Sequence, residues 1–170
     1  GEADEKPMHK VFVDDVYIGA YEVSNAEYAD FLNELKLSRD SALIFIDLDA
    51  QWKEVRCRIS YVNNEYIVEQ GYEQFPVNFV SWHGANAYCK HYGLRLPTEA
   101  EWEFAAGGGK RKLRSKKKKL NYAGHIIADS VAWYAENSDL TPQKIGQKRP
   151  NQLGLYDMSG NVGEWCNDWY

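Results

Sequence analysis

The sequence predicts an α+β domain with few short helices, short antiparallel strands and much irregular structure. Three observations lead there. Side-chain caps open three brief helical segments. Turn residues interrupt the chain at short intervals. Aromatic residues make up 14% of the 170 residues and are spread along the whole length, which excludes a disordered tail.

Residues 8–23 alternate in the manner of extended chain, with Val11 and Val13 flanking Phe12. Two short strands joined near Asp14-Asp15 would explain the pattern. Ser24-Asn25-Ala26-Glu27 is a capping box. The helix it opens sets Ala26, Ala29, Leu32 and Leu35, with Tyr28 and Phe31, around an apolar stripe. Residues 36–75 are less regular. An apolar run over 43–48 is followed by Trp52, Val55 and Ile59 in a polar stretch. Asn63-Asn64 between Val62 and Tyr66-Ile67 points to a small hairpin.

Ser81 caps a second helix that Gly93 ends, and Ala85, Tyr88 and Cys89 share its inner face. Thr98-Glu99-Ala100-Glu101 is a second capping box, opening a short helix through Trp102, Phe104 and Ala105. Gly107-Gly108-Gly109 closes it. The expectation is one domain over 1–170, with 107–121 a Gly/Lys-rich loop inside it. No internal repeat is visible.

The 20 Lys and Arg against 25 Asp and Glu give a net charge of −5. Residues 110–119 hold 8 of the basic residues and no acidic one, leaving 12 basic against 25 acidic elsewhere. A nucleic-acid footprint needs a basic face on a basic domain, so no nucleic-acid partner is expected. The basic run reads as a solvated loop. No apolar run approaches the roughly 18 residues of a membrane span, and no membrane partner is expected. Charged residues 1–7 show no signal peptide. Cys57, Cys89 and Cys166 match no CxxC pattern, and three thiols leave at least one unpaired within the chain. His83 and His91 stand about two helical turns apart, too far for one metal.

Three segments are specific together. The first is Tyr21-Glu22-Val23-Ser24-Asn25 with Tyr28 and Phe31. The second is Pro76-Val77, Val80-Ser81-Trp82 and Ala87-Tyr88-Cys89, running into Arg95-Leu96-Pro97-Thr98-Glu99-Ala100-Glu101-Trp102-Glu103. The third is Gly154-Leu155-Tyr156-Asp157-Met158-Ser159-Gly160-Asn161-Val162, then Glu164-Trp165. In this order and spacing the chain resembles the formylglycine-generating enzyme family, also called sulfatase-modifying factor. The resemblance spans nearly the whole chain. It implies that family's variant of the C-type lectin fold.

The last segment is the candidate site. Asp157 and Glu164 are carboxylates seven residues apart, with Gly160 and Gly163 between them to turn backbone carbonyls inward. Hard oxygen ligands in a tight loop suit calcium. A metal-free turn, with Asp157 and Asn161 bonding to the backbone, is the other reading of the same residues. The resemblance implies a structural calcium held by the side chains of Asp157 and Glu164 and the backbone oxygens of Gly160 and Val162. Many relatives carry Trp where this chain has Gly163, which would loosen the loop.

The family's oxidases turn a sulfatase cysteine into formylglycine with copper and oxygen. The copper pair of cysteines lies in a segment after the EW-x-x-DW motif. This chain runs to Tyr170, so the domain is expected to be incomplete at its C-terminus and copper is not expected in it. Cys166 occupies neither position of the copper pair, and one thiolate alone does not hold Cu(I). The expected function is a non-catalytic binding or scaffold domain with a structural calcium, and no catalytic residue. The alternative is part of a copper-dependent formylglycine-generating oxidase. A further alternative is the accessory domain of a larger enzyme, as in sulfoxide synthases. A protein partner or a second copy is expected to cover the surface that the missing segment would occupy.

Overall fold

The structure, a computed structural model, describes residues 11–109 and 121–168. The basic run of 110–119, His9 and Trp169-Tyr170 lie outside the described residues.

Helix α1, Asn25–Glu34, begins at the expected capping box. Ser24 Oγ accepts from Glu27 N, and Glu27 Oε2 accepts from Ser24 N at 2.8 Å. Two helix-end N–H groups are thereby satisfied. The helix buries Tyr28, Ala29, Phe31 and Leu32. Leu35 sits at its margin, 37% exposed. A one-turn helix follows that the sequence did not announce: α2, Arg39–Ala42, capped by Ser38 through Ser41 N.

Two hairpins make all the strands of the described structure. Strands β1, Gln51–Trp52, and β2, Val55–Arg56, form the first. Strands β3, Ile59–Val62, and β4, Glu65–Val68, form the second. Val62 pairs with Glu65, which leaves Asn63-Asn64 as a two-residue turn. Both asparagines have positive φ, 52° and 66°, as a type I′ turn requires. Asn33 of α1 then pins β4. Its Nδ2 donates to Tyr66 O at 3.0 Å, and its Oδ1 accepts from Tyr66 N at 2.8 Å.

Helix α3, Trp82–His91, is capped by Ser81 and ends as a Schellman motif. Leu94 N donates to Cys89 O at 2.7 Å, and Gly93 takes φ +70°. Gly84 is its buried point, pressed onto the Phe45 carbonyl and the Tyr28 hydroxyl. Ala85, Tyr88 and Cys89 are only half-buried. His83 is exposed, and His91 bonds Glu34 Oε2 at 2.6 Å. Helix α4, Glu99–Ala106, opens with its expected box at Thr98 and Glu101, and Arg95 grips Glu101 with both guanidinium nitrogens at 2.7 Å.

One expectation is overturned. Residues 11–23 form no strand. Its backbone bonds to distant segments lie at its end, where Ala20 O accepts from Tyr156 N, Val23 O accepts from Val77 N, and Ser24 bridges Pro76. Alternation marks a chain that suits a sheet; a strand also needs a partner ladder. Phe12, 88% exposed, and fully exposed Tyr17 stand out to solvent, while Ile18 packs against the smaller apolar centre.

Apolar packing divides into two centres. The larger gathers α1, Ala42, Ile46, Cys57, Ile59 and Tyr66. The smaller sets Ala105 and Ala106 against Leu155 and Met158, with Trp102 alongside. Among the described residues no helix is long and apolar enough to cross a membrane.

Candidate functional site

The loop of residues 157–164 leaves the smaller core and turns back under α4. Asp157 starts the turn at φ +55° and is 2% exposed. Its Oδ2 accepts from Gly146 N at 2.7 Å. Its Oδ1 is buried and has no hydrogen-bond partner. Burial pushes this carboxyl above the usual aspartate range.

Gly160 has φ +96° and runs as a parallel bridge beside Trp133. A Cβ there would collide with the Trp133 carbonyl, so this glycine is required twice over. Gly163 is different. Its φ is not in the left-handed region and a Cβ would meet open space, so it is not a turn glycine. That corrects the expectation from sequence.

Asn161 is the loop's knot. Its N–H donates to Trp133 O at 2.9 Å, and its Oδ1 accepts from Gln143 N at 2.8 Å. Glu164 then reaches solvent at the floor of a cleft while protein surrounds it on most sides. Its Oε2 accepts from Trp102 Nε1 at 3.0 Å. That surrounding protein, with Asp157 nearby, raises its carboxyl pKa.

Asp157, Gly160, Val162 and Glu164 all line one cleft of about 530 Å³. Each carboxylate is anchored through one oxygen. The metal-free features are also present, since Asp157 and Asn161 both bond to the backbone. They leave Asp157 Oδ1 unmatched. Among the described residues no three His, Cys, Asp or Glu side chains are grouped to hold a metal by themselves. A cation in this cleft would draw on backbone oxygens too.

Sequence reasoning quoted Glu22 within a motif and gave it no role. The structure brings it to the loop. Glu22 Oε2 accepts from Asn161 Nδ2 at 2.6 Å, and Oε1 accepts from Val162 N at 3.3 Å. Burial, with the charges of Asp157 and Glu164 behind it, pushes this carboxyl up to about 8 against the pull of those two bonds. No local signal could have found it, because 139 residues separate it from Asn161.

On the far side of the loop lies a groove of about 950 Å³. Val80, Leu96 and Cys89 supply apolar lining, and Glu22, Val162, Gly163 and Glu164 form its edge toward the loop. Cys57, Cys89 and Cys166 are all free. Burial raises each thiol, Cys166 to about 12 with the Glu99 carboxylate adding to it. These groups therefore stay protonated at neutral pH.

Comparison with known proteins follows the same lines. The family described as sulfatase-modifying factor enzyme 1-like domain matches residues 1–170. The chain is 36% identical over 181 residues to the serine/threonine-protein kinase pkn1 of Chlamydia pneumoniae, covering 100% of this chain and 25% of that protein. It is 33% identical over 196 residues to the formylglycine-generating enzyme of Mus musculus, covering 98% of this chain and 52% of that enzyme. The chain thus spans a quarter to about half of the length of these relatives. Among solved structures, that of CarF superposes with a TM-score of 0.63 at 25% identity, over 89% of this chain and 68% of that one. The α+β, lectin-like architecture read from the sequence agrees with this likeness.

Proposed function

The chain belongs to the sulfatase-modifying factor enzyme 1-like family, and we propose that it is a non-catalytic binding domain whose loop 157–164 is set by a structural calcium ion. One observation carries this reading. Asp157, Gly160, Val162 and Glu164 line a single cleft, and one oxygen of buried Asp157 has no partner there. A native structure rarely leaves a buried carboxylate oxygen unmatched.

The side chains of Asp157 and Glu164 and the backbone oxygens of Gly160 and Val162 would hold the ion. Bound calcium supplies charge neutralisation and a rigid hub of hard-oxygen contacts. The protein does the rest. Gly146 N and Trp102 Nε1 orient the two carboxylates, and the Trp133 backbone orders the turn.

The non-catalytic part rests on the thiols. Soft copper takes a pair of thiolates, and Cys166 occupies neither position of the family's copper pair. The likeness to one region of a protein named as a kinase supports a module that serves a larger chain. The apolar groove is the face such a module offers, and a protein partner or a second copy of this chain covers it.

The test is thermal unfolding with and without calcium. Saturating calcium raises the melting temperature, and Asp157→Asn removes the rise while leaving the cation-free melt near that of the parent. A parent protein that calcium does not stabilise ends the calcium reading. Tight Cu(I) binding to the parent overturns the non-catalytic reading and favours the oxidase. Sedimentation over a wide concentration range then tests the second copy, since self-association that Leu94→Glu abolishes assigns the groove to it, and a strict monomer rules it out.

A further inference from the structure

Glu22 approaches the loop from the side opposite the cleft. It lines the larger groove, whereas Asp157 and Gly160 line only the smaller cleft. Residues 162–164 separate the two. Glu22 is therefore placed to act on the loop and not on an ion in the cleft.

Its partners demand a carboxylate. Oε1 faces the Val162 N–H and Oε2 faces the Asn161 amide nitrogen, so both oxygens must accept. Asn161 cannot turn over to accommodate anything else. Its Oδ1 is engaged by Gln143 N, and its Nδ2 also donates to Gln143 O at 3.2 Å. An amide at position 22 would set donor against donor at one of the two contacts.

We infer that Glu22 is the positioning residue that holds the 161–164 turn in its cation-accepting shape, pinning Asn161 and the peptide before Val162 from behind. The inference rests on the calcium reading above. One effect follows from the geometry. The peptide between Asn161 and Val162 is fixed before any ion arrives, so only the next peptide, which carries the Val162 oxygen, has to be ordered on binding. Outer-shell partners of this kind are worth roughly 10–100-fold in metal affinity.

The experiment is titration of the cation-free protein with calcium by calorimetry, and with terbium by luminescence. Trp102 and Trp133 line the cleft and serve as built-in sensitisers. Parent, Glu22→Gln and Glu22→Asp are compared, with far-UV circular dichroism as the check on folding. The expected result is about tenfold or weaker calcium binding in Glu22→Gln. Glu22→Asp keeps the carboxyl group but draws back from both donors, and it is expected to lose affinity as well. Parent-like affinity in either variant overturns the inference. A parent that binds neither ion fails at the earlier step and identifies the calcium reading as the fault.

Discussion

Trp102 Nε1 donates to Glu164 Oε2 at 3.0 Å, tying helix α4 to a loop 62 residues later. The same indole packs beside Ala105, Ala106, Leu155 and Met158. One side chain thus serves the smaller core and the cleft together. Trp102→Phe keeps a ring in the core but removes the donor. The expected loss is about 0.5–1.5 kcal/mol in urea unfolding, the net worth of one hydrogen bond whose carboxylate can turn to water instead. Calcium stabilisation should weaken in the same variant. An unchanged unfolding midpoint would show that the bond contributes nothing.

Glu101 supplies a pH signature. Arg95 and the Thr98 N–H hold its carboxyl at about 2, below the ordinary value near 4.5. A depressed carboxyl pKa contributes stability that is full above the unfolded value and is lost as pH falls through the folded one. The parent should therefore lose this contribution between about pH 4.5 and pH 2. Glu101→Gln lacks the charge. Its stability should lie below the parent's at neutral pH and converge with it near pH 2. Parallel acid titrations of the two proteins check this.

The hairpin turn offers a gain. Asn64 has φ +66° in a two-residue I′ turn, where glycine carries no Cβ strain. Asn64→Gly should raise stability by roughly 0.5 kcal/mol, the relief of about 1 kcal/mol of left-handed strain less the extra freedom glycine gives the unfolded chain. Differential scanning calorimetry reads it as a small rise in melting temperature. A fall would mean that the Tyr61 hydroxyl bond to Asn64 Oδ1 outweighs the backbone strain.

Gly84 offers the opposite. Its Cα rests against the Phe45 carbonyl and the Tyr28 hydroxyl, where α1, α3 and the 43–46 segment meet. A Cβ has no room, and two of the obstacles are backbone atoms. Gly84→Ala should cost about 2–3 kcal/mol or more through overpacking. Soluble expression with a parent-like melting temperature would contradict the packing described here.

Gly163 should tolerate a side chain. Its φ is ordinary and its Cβ position is open. Gly163→Ala should stabilise by about 0.4–1 kcal/mol by restricting the unfolded chain. Calcium affinity should hold or improve, since a stiffer turn needs less ordering. A loss of affinity would show that the loop must flex here.

Much of the fold was legible because its causes are local. A cap lies within three residues of the N–H it satisfies, so Ser24, Ser81 and Thr98 announced α1, α3 and α4. Asn63-Asn64 announced its hairpin for the same reason, since positive φ is a property of the turn itself. The motif singled out loop residues 157, 160, 162 and 164, and all four line one cleft.

Only the tertiary structure decided the rest. Residues 11–23 look like strands by themselves, yet a strand needs a ladder with a neighbour, and none runs along them in the described structure. Gly160 and Gly163 are the same letter three residues apart. The Trp133 carbonyl makes one of them obligatory and leaves the other free. Glu22 has no local mark at all, because its role comes from two donors brought to it across the chain. Hydrogen bonds between neighbours can be read from spacing. Those between distant residues exist only once packing has chosen the neighbours.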